Sequence, residues 1–119
     1  MDDLGAPVSH LGLRDGVAVY DRDGRDIGVV ERVMTDGPTG IFEGLVIHGR
    51  PVVPGRHLYA GHEQVAELRE RGVRLRVGRD ELQELDEHAG RPRREDGRPE
   101  SPAEAALRKA WDWLAGTRP

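Results

Sequence analysis

The chain contains no cysteine. Disulfides, thiolate metal ligands and cysteine nucleophiles are thereby excluded, and the redox compartment stays open. Aromatic residues make up 4% of the sequence, so Val, Leu and Ile must supply most of a core, which suits thin β-structure. Ser9 and Ser101 are the only serines. Neither lies in a Gly-x-Ser-x-Gly elbow, and there is no glycine-rich phosphate loop. No apolar run approaches the ~20 residues that span a bilayer. The first residues, Met1-Asp2-Asp3-Leu4, are acidic and lack the apolar stretch of a secretory signal, so the expected location is the cytoplasm. A net charge of −4 argues against nucleic-acid binding through the whole surface. Lys109 is the one lysine among the basic residues.

What is present is a 119-residue chain, enough for one small domain with extensions. Residues 1–11 have no period and read as a loose lead-in. From 12 to 86, short apolar and β-branched runs recur between Gly, Asp and Pro clusters, the pattern of a small barrel or sandwich. The first strand is Val17–Tyr20. Asp23-Gly24 then marks a hairpin turn, since both residues tolerate the left-handed backbone. A second strand covers about Ile27–Met34, with Gly28 marking a bulge or bend. The third covers Ile41–His48, with Leu45 and Ile47 on one face. Pro51 and Pro54 interrupt the pattern, and Leu58-Tyr59-Ala60 fits a short fourth strand. Val65 and Leu68 begin the next element. Val73-Arg74-Leu75-Arg76-Val77 alternates cleanly, with Val73, Leu75 and Val77 inward. Leu82 and Leu85, three apart, suggest one or two helical turns between Arg79 and Leu85.

Residues 87–100 carry almost no apolar side chains and read as a solvated, disordered linker. A helix follows. Ser101 can cap it, Pro102 suits its first position, Glu104 completes a capping box, and Gly116 stops it. Its apolar face gathers Ala103, Leu107, Ala110, Trp111 and Leu114, with Trp113 to one side.

The stretch from Gly12 to about Asp86 resembles a PRC-barrel domain. The resemblance rests on Gly16-Val17-Ala18-Val19-Tyr20-Asp21, Asp23-Gly24, Ile27-Gly28-x-Val30-x-x-Val33, Leu45-Val46-Ile47, Val65-x-x-Leu68 and Val73-x-Leu75, in that order and spacing. It departs from the family at Arg56–Val65, where members often carry a Val-Pro or Ile-Pro pair, and this leaves the register of the fourth strand open. The resemblance implies a mainly β fold: a small, strongly twisted antiparallel β-barrel of about six short strands, here with a C-terminal amphipathic helix. It also implies an adaptor role. Such domains occur in the photosynthetic reaction-centre H subunit and in a ribosome-maturation factor, and no catalytic residues come with them.

Candidate chemistry is sparse. His57 and His62 are five apart beside Glu63, but a metal site needs three or four converging ligands, so surface histidines are the preferred reading and no metal or other cofactor is expected. Asp21-x-Asp23-Gly24 lacks the later acidic ligands of a calcium loop, and a turn is preferred. Arg74 and Arg76 share an outward face near Arg69, Arg71 and Arg79 and form a candidate RNA contact. Glu63, Glu67, Glu70, Asp80 and Glu81 interleave with them, so a solvated salt-laced face is preferred.

Leu107, Trp111, Trp113 and Leu114 form the candidate protein interface, because tryptophan is enriched at contact hot spots. The helix either folds onto a barrel, its own or a neighbour's, or docks on another protein. The expected function is therefore a non-enzymatic interaction or adaptor module that self-associates, most simply as a dimer, with an unidentified partner. The alternative is an RNA- or ribosome-associated protein using the arginine-rich hairpin.

Overall fold

The computed structural model describes residues 4–50, 56–86 and 101–116. The linker expected over 87–100 lies outside them. Seven strands form one sheet: β1 (Ala18–Tyr20), β2 (Asp26–Thr35), β3 (Phe42–Gly49), β4 (Arg56–Gly61), β5 (Val65–Arg69), β6 (Gly72–Leu75) and β7 (Gln83–Asp86). The order across the sheet is β5-β6-β1-β2-β3-β4-β7. The helix α1 spans Pro102–Gly116.

The mainly β fold with one C-terminal helix is as expected, with three differences. There are seven strands rather than about six. β1 and β6 run parallel, while all other neighbours are antiparallel. Among the described residues the outermost strands, β5 and β7, do not pair, so the sheet is not closed into a barrel. The extra strand is β7. One 3₁₀ turn, Arg79–Glu81, precedes it, and the chain then extends. Leu82 enters one core and Leu85 another. A spacing of three fits one helix face, but it equally puts two side chains on opposite faces of an extended chain.

Local chemistry sets the bends. Asp21 is buried, and its carboxylate accepts hydrogen bonds from the backbone N–H groups of Asp23 (2.9 Å) and Arg25 (3.0 Å), closing the turn at Asp23-Gly24. At Gly28 a Cβ would run into the carbonyl of His48 and the side chain of Ile47, so only glycine lets β2 approach β3 this closely. Further along, Val30 faces Ile47 and Arg32 faces Val46, which leaves Glu31 as the extra residue of a β-bulge. The register of the fourth strand is also fixed: His57 faces His48, and Tyr59 faces Val46.

The lead-in expected to be loose runs beside β5. The N–H of Val8 donates to the Leu68 carbonyl at 3.0 Å, that of Glu70 to Ala6 at 3.1 Å, and that of Arg71 to Leu4 at 2.9 Å. The Leu68 carbonyl at the edge of β5 and two N–H groups of the turn after it are thus satisfied by a segment with no hydrophobic period of its own.

The sheet has apolar contacts on both faces. The inner core includes Val19, Ile27, Val30, Leu45, Ile47, Leu58, Val73 and Leu75. On the outer face Met34, Val46, Tyr59 and Leu85 pack against Ala106, Ala110, Trp111 and Leu114 of α1. The helix begins as its sequence indicates. Glu104 N–H donates to Ser101 Oγ and Ser101 N–H to the Glu104 carboxylate, both at 3.1 Å.

Trp111→Ala should therefore cost about 3–5 kcal/mol of folding stability through the cavity it leaves. Ser101→Ala should cost about 1 kcal/mol through the lost cap. Urea unfolding of the full chain checks both.

Candidate functional site

The outer face of β2, β3 and β4 holds most of the specific side-chain geometry. Its apolar half lies beneath α1. Gly44 has no side chain, and Tyr59 fills the space a Cβ would take there. The Tyr59 hydroxyl donates to the Glu43 carbonyl at 3.2 Å. Burial, then the nearby Glu43 and Glu63 carboxylates, push the Tyr59 phenol well above its usual range, so it stays a protonated donor. Lys109 of α1 reaches down to Glu43 at 3.3 Å and Asp36 at 3.7 Å, tying the helix to the end of the β2–β3 hairpin. A cleft of about 500 Å³ opens there, with Ile41, Phe42, Tyr59, Pro102 and Ala106 in its walls. Ile41 projects into solvent, 63% exposed.

The polar half of the face centres on the β2 bulge. Glu31 and Arg32, the two bulge residues, both serve this side. Arg32 lies over the Trp113 ring, 5.3 Å from its centroid. Glu31 sits beside His48 and His57, which face each other across β3 and β4. The imidazoles stack with centroids 4.7 Å apart and planes 26° from parallel. Glu31 Oε2 lies 3.7 Å from His48 Nδ1 and 3.9 Å from His57 Nε2. The surface expectation therefore holds for His62 and fails for His57, which is only 5% exposed. The register of β4 turns His57 onto the covered face. His62 follows the strand end and pairs with exposed Glu63 at 3.3 Å. His48 and Glu31 escaped sequence reasoning, because nothing in their spacing shows that a bulge and a cross-strand pair bring them together.

The other expected site residues fall as follows. Trp111 and Leu114 are buried against the chain's own sheet, while Leu107 and Trp113 are half-buried at its margin. In this structure α1 thus packs on the chain's own sheet. Arg74 is half-buried and sits opposite Glu67 across β5–β6; Arg76 is exposed. Nearby Arg69 is engaged by Glu67 and by the Gly5 carbonyl, each at 3.1 Å. The outer edge of β5 is partly occupied by residues 4–8. β7 pairs with β4 on one side, and among the described residues no strand pairs with its other side.

The raised Tyr59 phenol carries a pH signature. Its folded-state value lies above the unfolded one, so its contribution is complete below about pH 10 and declines as pH rises beyond it. Tyr59→Phe should be less stable at neutral pH by about 1 kcal/mol for the lost hydrogen bond. Its stability should also fall less steeply than the parent's above about pH 10. Denaturant midpoints measured from pH 8 upward test both statements.

No curated protein and no solved structure matches the chain significantly. The model of the PRC-barrel domain matches residues 15–82, more than half of the chain and the whole run from just before β1 to the 3₁₀ turn before β7. The curved sheet, its turn at Asp23-Gly24 and its close approach at Gly28 all lie within that match, and the chain belongs to the PRC-barrel domain family.

Proposed function

We propose that the chain is a non-catalytic docking module that works through the outer edge of β7, with a second copy of the same chain as its simplest partner. The PRC-barrel assignment supports a small binding or adaptor role. The observation that carries the docking reading is the state of the possible docking elements. The apolar face of α1 is committed to the chain's own sheet. The outer edge of β5 is partly covered by residues 4–8. β7 offers an extended backbone that, among the described residues, pairs on one side only. An exposed edge presents N–H and C=O groups that another strand can complete.

Two copies related by a two-fold axis would place their β7 strands antiparallel, which is the self-complementary arrangement of a closed dimer. Centred between Glu84 and Leu85, that pairing sets Glu84 opposite Leu85 and Gln83 opposite Asp86. No two carboxylate residues then stand directly opposite, so the acidic edge does not forbid it. The arginine hairpin gains no comparable support, since carboxylates engage or face its members.

Proline separates edge from ladder. Alternate residues of β7 direct their N–H toward β4, and the others direct it outward. Of Gln83→Pro and Glu84→Pro, one should break the β4 ladder and lower stability by about 1–3 kcal/mol, the cost of the lost bond and the carbonyl left unpaired. The other should leave the melting temperature nearly unchanged and shift the sedimenting mass from dimer to monomer. A parent chain that sediments as a monomer at all concentrations, or a dimer unaffected by either proline, would remove the proposal.

A further inference from the structure

The group at the β2 bulge has a chemistry that neither the fold nor the docking edge uses. Three side chains from three adjacent strands, Glu31, His48 and His57, bring one ligand atom each to within 4.8 Å of the others. The two measured approaches to Glu31 Oε2, 3.7 Å and 3.9 Å, exceed hydrogen-bond length. Glu31 Oε2 thus faces both imidazoles from beyond hydrogen-bond length. A single proton between any two of these atoms leaves the third without a share in it. A cation at their centre bonds all three.

The spacing fits such an ion. Donor atoms on a tetrahedral zinc, with bonds of about 2.0–2.1 Å, stand about 3.4 Å apart. Glu31 Oε2 reaches that distance by moving inward a few tenths of an ångström, and the two stacked imidazoles, whose planes lie 26° apart, must turn for His48 Nδ1 and His57 Nε2 to aim at one ion. The backbone brings the three side chains together. His48 and His57 are a direct cross-strand pair, and the bulge supplies Glu31 as the additional residue on the same side. His48 also has its Nε2 buried with no hydrogen-bond partner among the described residues. Its Nδ1 is the ring nitrogen that points to the cluster. The side chain of Glu31 is 36% exposed and that of His48 23%, which leaves an approach from solvent; His57, at 4%, forms the floor.

We infer that Glu31 Oε2, His48 Nδ1 and His57 Nε2 form a binding site for one borderline divalent cation, zinc or a neighbour in that series. Two imidazoles and one carboxylate suit such ions, whereas calcium and magnesium require oxygen ligands. With three protein ligands, the fourth position falls to water or to a group from a bound partner. The ion links β2, β3 and β4 on the outer face. Arg32, next to Glu31, carries the contact to Trp113, so the site lies beside the docked helix.

The test uses the untagged full chain, stripped with chelator and titrated with zinc by calorimetry, with calcium as the control ion. The parent should bind one zinc and no calcium, and its melting temperature should rise with zinc as mass action requires. His48→Gln, at a half-buried position, should weaken zinc binding at least about 100-fold, the upper end of what even outer-sphere partners command. It should also abolish the zinc-dependent rise in melting temperature. Glu31→Gln should weaken binding in the same direction. His62→Gln, which removes an exposed imidazole outside the cluster, should leave binding unchanged. Because His57 is buried, circular dichroism must show that each variant is folded before its titration counts, and His48→Gln carries the test if His57→Gln unfolds. A folded parent that binds no zinc would overturn the inference. So would zinc binding that survives both His48→Gln and Glu31→Gln, or that disappears in His62→Gln.

Discussion

Leu45, Val46 and Ile47 are all fully buried. Consecutive residues of a strand point to opposite faces, so β3 can bury all three only if both sides of the sheet are covered. The curved sheet covers one side by folding around Leu45 and Ile47. It cannot cover the other. That duty falls to α1, which sets Ala110, Trp111 and Leu114 over Val46, Tyr59 and Leu85. Most of what is distinctive about the molecule follows from this requirement. It uses one of the two tryptophans as core, draws Lys109 onto Glu43, and places Trp113 under Arg32 at the edge of the contact.

The same requirement divides the outer face. Where α1 lies, the face is apolar. Where the β2 bulge pushes two residues to one side, the face turns polar, and Glu31, His48 and His57 gather there. With α1 packed on the sheet and residues 4–8 lying along part of β5, β7 is an outermost strand that, among the described residues, pairs on one side only. Fold and docking are then linked by supply: each element used to complete the small core is withdrawn from the list of surfaces that could meet a partner.

Much of this was legible in the residues. Asp23-Gly24 and Gly28 announced the turn and the close approach because only glycine and its turn partners suit those backbone positions. The capping box at Ser101 and Glu104 marked the helix start for a reason equally local. The run Leu45-Val46-Ile47 also held a signal that alternation alone conceals: an unbroken apolar strand is one buried on both faces. Three features were not legible. β7 shares its leucine spacing with a helical turn. The path of residues 4–8 depends on backbone hydrogen bonds, which side-chain pattern does not encode. The histidine cluster depends on a bulge in one strand and the register of two others, and no sequence spacing connects Glu31 with His48 and His57.

The claim that α1 covers its own sheet is tested most directly by isotope-filtered NMR on an equal mixture of ¹³C-labelled and unlabelled chains. Contacts between the Trp111 ring and the methyl groups of Val46 and Leu85 should appear only within one chain. The same contacts detected between labelled and unlabelled chains, or their absence altogether, would mean that the outer face is covered by something other than the chain's own helix.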